Sequence, residues 1–597
     1  MALAQSNLSA RTAPLLTLAA RVAGSPYTWV ALTTGVLVAA SAALSGPGLS
    51  QSLGDTDDAV RLLTVRELLG GASLFDTTLT RIGAPDPLVS HWSRLIDVPL
   101  ALLMLLLRPL LGPETAELAA RALWPLALFA GLALVVAREA KRQGGTWAMG
   151  ITLSLVMIMP LAMVQFRPGR IDHHNAQILC AVAGLLLLRR AVEEPRAGWM
   201  AGLFLGLGLA VGYEGIALVV PILALAAAIS LVAPTVGRGP MHAAIATSAT
   251  LLGALLVTTA PSRLAIVACD ALSLNLVLLA AAGAMSLWTV SVLRLPLAGR
   301  LGVAGAGMGF GLLVYGALEP ACLAGPFGQV DPAIKPIWLD HVVETQSLFQ
   351  LAAQHLDAGV PAFVVLIAGV AAQLALLHIE RTPAALVATA TTLLATLLGL
   401  WQIKLMPYAL WLAAVPIGVL VARLQANPLT TAHALRGLMA LLLLITFSDS
   451  LAALAMPAKD DTAPKPVNHQ QDACYRTDNV KKLAQLPAGL VAASTDLGPY
   501  IAALTPHSVV AAPYHRIPKG ILAAHAILAG DADAARATVR RLGVRYIAIC
   551  TTNMDTGGKP TAGSFRTRLL ASDVPAWLTE VKPGVDNLRI WQVVDLK

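Results

Sequence analysis

Apolar runs of about 15 to 20 residues, each long enough to enter the hydrocarbon core of a bilayer as a helix, recur from Thr28 to Met456. The hydrophobic fraction is 56%, only 13% of the residues are charged, and the mean hydropathy is +0.70. These values lie far from those of soluble globular chains. The sequence therefore predicts a polytopic α-helical membrane protein.

The pattern predicts about thirteen membrane spans. They are expected near residues 28–45, 118–137, 147–164, 176–190, 198–212, 214–232, 241–259, 272–291, 301–318, 359–378, 383–400, 406–423 and 435–456. The apolar stretch Val98–Leu111 is left out, because Arg108 interrupts it and Pro109 follows. We expect this stretch to form a helix that lies in the outer interface of the membrane.

Basic residues in the loops set the predicted orientation. Arg11 and Arg21 precede the first span, which we expect to be an uncleaved signal anchor rather than a signal peptide. A cytoplasmic N-terminus places most of the basic interspan loops in the cytoplasm, as the positive-inside rule requires. An odd number of spans then leaves the C-terminus outside, so we expect a bacterial inner-membrane protein with a periplasmic C-terminal part.

The chain divides by polarity into residues 1–457 and residues 458–597, and the second part is predicted to be a soluble α/β domain. Four strands and two helices are expected there, at Leu490–Ala493, Ser508–Ala512, Val544–Ile549, Leu588–Val594, Ile521–Leu528 and Ala532–Arg541. Cys474 and Cys550 fall in this domain, where a disulfide could persist. The sequence leaves open whether they meet.

Four charged clusters share the predicted outer face. The first outer loop, about residues 46–117, carries Asp55, Asp57 and Asp58 within four positions. Carboxylates this close repel one another unless a cation compensates, so they are candidate ligands of a hard metal ion. Capping of a helix by Asp55 or Asp57 is the alternative.

The second cluster follows the third expected span. Asp172 and His174 offer oxygen and nitrogen ligands, a mixture that favours Mn²⁺ or Mg²⁺. Arg167 and Arg170 beside them could hold phosphate oxygens through forked hydrogen bonds. A structural ion pair at a helix end is the alternative.

Glu344, in the long outer loop of residues 319–358, and Lys404 complete the set. A solvated carboxylate is the default interpretation of Glu344, and Lys404 is either a phosphate ligand or a side chain that reaches the lipid headgroups. The sequence contains no nucleotide-binding or nucleophile motif, which favours a donor that is already activated in the membrane. The net charge is +8, and the basic residues cluster in loops beside the membrane. This pattern indicates contact with lipid rather than nucleic-acid binding.

The order of these motifs resembles the catalytic subunit of oligosaccharyltransferase, in the GT-C class of glycosyltransferases. The resemblance rests on Asp55 with Arg61 six residues later, on Asp172-His173-His174, on Glu344 and on the polar C-terminal part. It implies metal-dependent transfer of a glycan from a polyprenyl-(di)phosphate donor to an acceptor at the outer face.

Roles are carried over residue by residue. The resemblance implies that Asp55, or Asp57 as the close alternative, binds the metal with Asp172 and His174 and that Glu344 closes over the acceptor. The resemblance therefore assigns Asp55, Asp57 and Glu344 as catalytic groups, and these three together with Asp172 and His174 as metal ligands.

Lys404 occupies the position of the donor-phosphate cation, and Arg167 and Arg170 are assigned with it.

The acceptor side is implied by the C-terminal part. Residues 495–500 resemble the region of the WWDYG motif, which assigns Asp496 and Tyr500 to the acceptor, and the nearby His515 and Arg516 offer a polar surface for it. Ser494 and Thr495 replace the two tryptophans of that motif. A protein, a lipid and a polysaccharide therefore all remain possible acceptors.

Two alternatives remain. The first is transfer of a monosaccharide from polyprenyl phosphate to a lipid or polysaccharide. The second is a transporter that uses the same charges as an ion path, which is disfavoured because the charges gather at one face and no internal repeat is evident.

Overall fold

The structure is a computed structural model that describes residues 21–22, 24–44, 48–233, 236–354, 356–425, 473–552 and 563–594. Up to residue 425 the described chain is mostly helical, and the C-terminal part contains a five-stranded sheet. The expected span at 435–456 lies outside the described residues.

The helices of the first part pack side by side. They are α1 (Pro26–Leu44), α2 (Thr56–Leu69), α3 (Arg94–Leu111), α4 (Pro113–Met157), α5 (Pro160–Met163), α6 (His174–Ala191), α7 (Ala197–Val211), α8 (Ile216–Val232), α9 (Gly239–Thr258), α10 (Leu274–Val292), α11 (Leu297–Leu318), α12 (Leu348–Gln354), α13 (Leu356–Glu380), α14 (Pro383–Trp401) and α15 (Met406–Leu424). Short strands β1 (Thr78–Leu79) and β2 (Leu88–Val89) pair antiparallel between α2 and α3.

Among the described helices, eight are long and apolar enough to cross a membrane by length and composition, namely α1, α4, α9, α10, α11, α13, α14 and α15. The apolar helices α7 and α8 are shorter. The expected span at 118–137 lies on α4, and the one at 147–164 begins on α4 and ends beyond it, past α5. Helix α4 changes direction at Gly145, where φ is 75°. The total of thirteen spans stays a prediction.

The stretch expected to lie in the interface belongs to the amphipathic helix α3. Its N-terminus is capped by Ser93, whose side chain accepts a hydrogen bond from the amide of Leu95. One face is buried, whereas Leu106 and Leu110 on the other face are 73% and 83% exposed. An exposed leucine face is what a helix at a membrane surface requires.

The C-terminal sheet has the strand order β4-β3-β5-β7-β6, with β3 parallel to β4 and β5 and with β7 antiparallel to β5 and β6. Its strands are β3 (Leu490–Ala492), β4 (Ser508–Val509), β5 (Tyr546–Cys550), β6 (Leu578–Val581) and β7 (Leu588–Val593). The helices are α16 (Thr477–Val480), α17 (Gly498–Leu504), α18 (Pro518–Leu528), α19 (Ala532–Leu542) and α20 (Phe565–Leu570). The structure joins Cys474 to Cys550 in a disulfide.

The first outer loop adds to this sheet. The amide of Val509 donates to the carbonyl of Arg81 at 2.9 Å, and the amide of Gly83 donates to the carbonyl of Val509 at 2.9 Å. Buried apolar side chains of α2 and α3 share one cluster with those around β3, α17 and β5. The C-terminal part therefore packs on the loop that carries the first acidic motif.

Candidate functional site

At the start of α2, the three clustered aspartates make different contacts. The Asp55 carboxylate caps the helix and accepts hydrogen bonds from the amides of Asp57 and Asp58 at 3.0 and 3.1 Å. The Asp58 carboxylate accepts in return from the amide of Asp55 at 3.1 Å, which completes a capping box. Asp57 takes no part in this exchange through its side chain, which lines a cavity instead.

Arg170 neutralises the carboxylates behind that cavity. Its guanidinium contacts Asp55, Asp58 and Asp172, with distances of 2.9 Å to Asp58 and 2.5 Å to Asp172. The side chain is buried, and its Nε and Nη2 also donate to the side-chain oxygen of Gln165 at 3.1 and 2.7 Å. In this structure Arg170 forms the structural ion pair considered as the alternative for this motif, and its assignment to a donor phosphate stays a prediction.

Three groups of carboxylates and histidines among the described residues have ligand atoms within 4.8 Å of one another. We take Asp57, Asp172 and His174 as the candidate metal site, because Asp57 and His174 line the cavity and Asp55 and Asp58 are engaged in the capping box. Nε2 of His174 is buried and has no hydrogen-bond partner among the described residues. Its Nδ1 lies 2.8 Å from a carboxylate oxygen of Glu214. Metal-binding histidines are typically held in this way by a carboxylate on the second ring nitrogen. This donor set fits a divalent cation.

The electrostatics of Asp57 favour a cation. Burial raises the pKa of the Asp57 carboxyl to about 8, with further increases from the negative charges of Asp55, Glu344 and Asp172. The Tyr514 hydroxyl donates a hydrogen bond to Asp57 at 2.8 Å. The cluster thus carries more negative charge than its protein surroundings compensate, and a divalent cation would balance it.

Glu344 and Lys404 reach the same cavity, which measures about 160 Å³. A carboxylate oxygen of Glu344 lies 3.9 Å from Nε2 of His174, and burial raises the pKa of this carboxyl. Nζ of Lys404 lies 5.0 Å from the centre of the Phe327 ring, a cation–π contact. The structure therefore brings His174 of the second charged cluster, Glu344 and Lys404 to one cavity with Asp57.

Arg167 remains apart from these ion pairs. It is half-buried, and no ion pair to it occurs within the part of the chain that the structure describes. Burial lowers the pKa of its guanidinium, and the charge of Arg170 lowers it further. Its assignment to a donor phosphate stays a prediction.

His515 and Arg516 are held by Asp270, a residue that the sequence interpretation did not single out. The Asp270 carboxylate contacts Nε2 of His515 at 2.7 Å and accepts from Nε and Nη2 of Arg516 at 2.8 and 2.5 Å. Burial alone would raise the pKa of Asp270, but these hydrogen bonds hold it well below its usual range. His515 still lines the cavity of the metal cluster.

Tyr500 and Asp496 occupy interior positions. The Tyr500 side chain is fully buried, and its hydroxyl donates to the carbonyl of Gly54, at 3.3 Å, beside the first acidic motif. Asp496 is also buried. In this structure neither side chain presents a surface to an acceptor, and Tyr500 instead ties the C-terminal part to the start of α2.

A second disulfide, which the sequence interpretation did not include, joins Cys269 to Cys322. It links the loop that carries Asp270 to the beginning of the outer loop that carries Glu344. Two segments that border the cavity are therefore connected covalently.

Glu214 and Asp270 share a sequence signal that could have identified them. Each is a carboxylate in a short connection between two apolar runs, on the face predicted to be external. Ionisable groups at such positions are expensive and commonly functional.

The fold has counterparts among solved structures. One is the archaeal oligosaccharyltransferase AglB from Archaeoglobus fulgidus in complex with an inhibitory peptide and a dolichol-phosphate, with a TM-score of 0.67, 14% identity, and coverage of 88% of this chain and 69% of that chain. Another is the Archaeoglobus fulgidus oligosaccharyltransferase in complex with Zn and sulfate, with a TM-score of 0.62, 15% identity, and coverage of 88% and 68%. This chain has the GT-C glycosyltransferase fold.

The predicted resemblance to an oligosaccharyltransferase catalytic subunit is thereby confirmed at the level of the fold. Together with the eight long apolar helices, this fold identifies an integral membrane protein. No family model and no curated protein matches the sequence.

Proposed function

We propose that this protein is a glycosyltransferase that moves a glycan from a polyprenyl-(di)phosphate donor to an acceptor at the outer face of the membrane. The observation that supports this most strongly is the convergence of Asp57, His174, Glu344 and Lys404 on one cavity in a GT-C fold, with Asp172 within 4.8 Å of Asp57 and His174. The AglB complex with a dolichol-phosphate supports a polyprenyl donor.

Asp57, Asp172 and His174 would hold a divalent metal, Mn²⁺ or Mg²⁺, and the Zn complex of the archaeal enzyme supports metal binding in this fold. When bound, the metal would supply Lewis-acid stabilisation of the charge that develops on the leaving phosphate. Asp55, which was assigned as a ligand, caps α2 and pairs with Arg170, so its role is to position this motif.

The other residues bind, orient and exclude water. Lys404 would contact the donor phosphate with its ammonium group, and Arg167 is the second candidate for that contact. Glu344 lines the cavity with a half-exposed side chain, and its carboxyl has a raised pKa, which suits it to orient the acceptor nucleophile and to accept its proton. Tyr514 and Glu214 fix the orientations of Asp57 and His174 through their hydrogen bonds.

Water exclusion follows from the placement of the outer loop. The carbonyl of Gln346 accepts a hydrogen bond from the amide of Ile403 at 2.9 Å, which holds the loop next to Lys404. A closed loop would protect the donor from hydrolysis.

The sidedness and the acceptor belong to the same proposal. We place the N-terminus in the cytoplasm and residues 458–597 in the periplasm of a bacterial inner membrane, because this arrangement puts the cavity on the side opposite the basic loops. His515 borders the cavity and Arg516 is tied to it through Asp270, so this pair is the best candidate for acceptor contact. Protein, lipid and polysaccharide acceptors are all compatible with it.

Mass spectrometry of glycoproteins and glycolipids from cells with the gene, without it, and with an Asp172→Asn copy tests the proposal. Loss of one glycoconjugate in the deletion, restored by the wild type and not by the variant, is the expected result. A missing protein-linked glycan indicates an oligosaccharyltransferase-like activity, and a missing glycolipid alone indicates the monosaccharide alternative. An unchanged set of glycoconjugates would contradict the proposal.

A further inference from the structure

A second polar cavity, of about 520 Å³, lies at the end of α2 opposite the acidic motif. Its wall carries the cations Arg66, Arg108, Arg121 and Lys481, and we call it the basic pocket. It shares no lining residue with the cavity of the metal cluster. The basic pocket is therefore a separate site.

The cations of the basic pocket are only partly neutralised. Arg66 donates from Nε and Nη2 to the carboxylate of Glu117, at 2.8 Å for both contacts. Arg121 is buried, and although its Nη2 donates to the carbonyl of Ser52, its Nε has no partner among the described residues.

Arg108 and Lys481 are exposed, and the described ranges contain no ion pair to either. The carboxylates of Glu114 and Glu117 also line the cavity, so four cations face two anions there. The basic pocket thus presents unused donors and an excess of positive charge.

The basic pocket lies where apolar helices emerge. Arg108 is on α3, and the same helix exposes Leu102, Leu106 and Leu110 at a spacing of four residues. Arg121 is in the third turn of α4, a candidate membrane span, just before its long apolar stretch. A cationic cavity next to an exposed leucine face is expected at the level of lipid headgroups.

We propose that the basic pocket binds the phosphate headgroup of an anionic membrane phospholipid. Arg108 and Lys481 would contact the phosphate oxygens, since guanidinium and ammonium groups form charge-assisted hydrogen bonds to phosphate. The buried Arg121 would add its positive charge from the wall of the basic pocket. The acyl chains would lie along the exposed leucines of α3. This site does not depend on the proposed glycosyl transfer.

Native mass spectrometry of the delipidated full-length protein tests the site, with phosphatidylglycerol, phosphatidylcholine and inorganic phosphate as separate probes. Phosphatidylglycerol should bind at lower concentration than phosphatidylcholine. The double variant Arg108→Gln/Lys481→Gln should bind phosphatidylglycerol roughly 30-fold more weakly, from the loss of two interfacial cations. Both side chains are exposed, so the variant should fold.

The matched control is Arg540→Gln/Arg541→Gln, which removes the same charge from the last turn of α19, and it should leave the affinity for phosphatidylglycerol unchanged. Equal affinity for the two lipids, or equal phosphatidylglycerol binding by the pocket variant and the wild type, would overturn the proposal. Saturation by inorganic phosphate as tight as by phosphatidylglycerol would assign a free phosphate ligand and overturn the lipid assignment.

Discussion

Removing the carboxylate of Glu214 should weaken metal binding without a change in any proposed ligand. Glu214 lies 2.8 Å from Nδ1 of His174, and its side chain is only 16% exposed. A hydrogen bond to a charged group contributes about 1.5–3 kcal/mol, which corresponds to roughly 10- to 150-fold in an equilibrium constant. We therefore expect Glu214→Ala to weaken metal binding by roughly 10- to 100-fold, the range typical of carboxylates that orient a ligating histidine.

Glu214→Gln separates charge from orientation. The amide oxygen of Gln can still accept from Nδ1 of His174 but lacks the negative charge, so its loss should lie near the lower limit, about tenfold. Isothermal titration of the purified protein with Mn²⁺ measures both variants, and Glu319→Gln, on an outer-loop carboxylate outside the cluster, is the control. Wild-type affinity in Glu214→Ala would refute the assignment of His174 as a ligand held by this carboxylate.

Three further predictions concern the metal cluster and the C-terminal sheet. Apparent Mn²⁺ affinity should rise roughly 10- to 100-fold from pH 6 to pH 8, because the metal must displace a proton from Asp57, whose pKa is about 8. Over the same range the metal-free protein should lose stability, since the raised pKa in the folded state favours the protonated form, and thermal melts at each pH check this. Tyr514→Phe should lower donor turnover about tenfold with little change in melting temperature, because it removes only the hydroxyl that orients Asp57. Cys474→Ser/Cys550→Ser should destabilise the C-terminal sheet by about 4 kcal/mol, from a separation of 76 residues, and a melting temperature equal to the wild type would contradict this.

Hydropathy predicted most of the helical organisation because a membrane span is specified by a local property, a long apolar run. The C-terminal strands were predicted for a similar reason. Strand β6 was missed, because most of its residues are at least partly exposed and no run of apolar residues marks it. The sharp change of direction within α4, at Gly145, was not predicted, because the direction of a chain between two apolar runs depends on packing. The contact of the sheet with the first outer loop is equally non-local.

The site was only partly predictable, because capping and ion pairing decide which carboxylates face the cavity. Asp55, Asp57 and Asp58 are equivalent in the sequence, but the capping box withdraws Asp55 and Asp58 and leaves Asp57 in the cavity wall. Arg170 was assigned to phosphate because the sequence does not show that three carboxylates surround it. The role of Glu214 is evident only from its contact with His174, which the sequence does not show.

Donor turnover by the purified protein tests the central claim most directly. The enzyme is incubated with a polyprenyl-linked sugar and Mn²⁺, and release of the polyprenyl phosphate or diphosphate is followed by mass spectrometry. We expect that Mn²⁺-dependent release by the wild type is abolished by chelation of the metal and is absent in a folded Asp172→Asn variant. Near wild-type release by that variant would contradict the assignment of the Asp57, Asp172 and His174 cluster as the catalytic metal site.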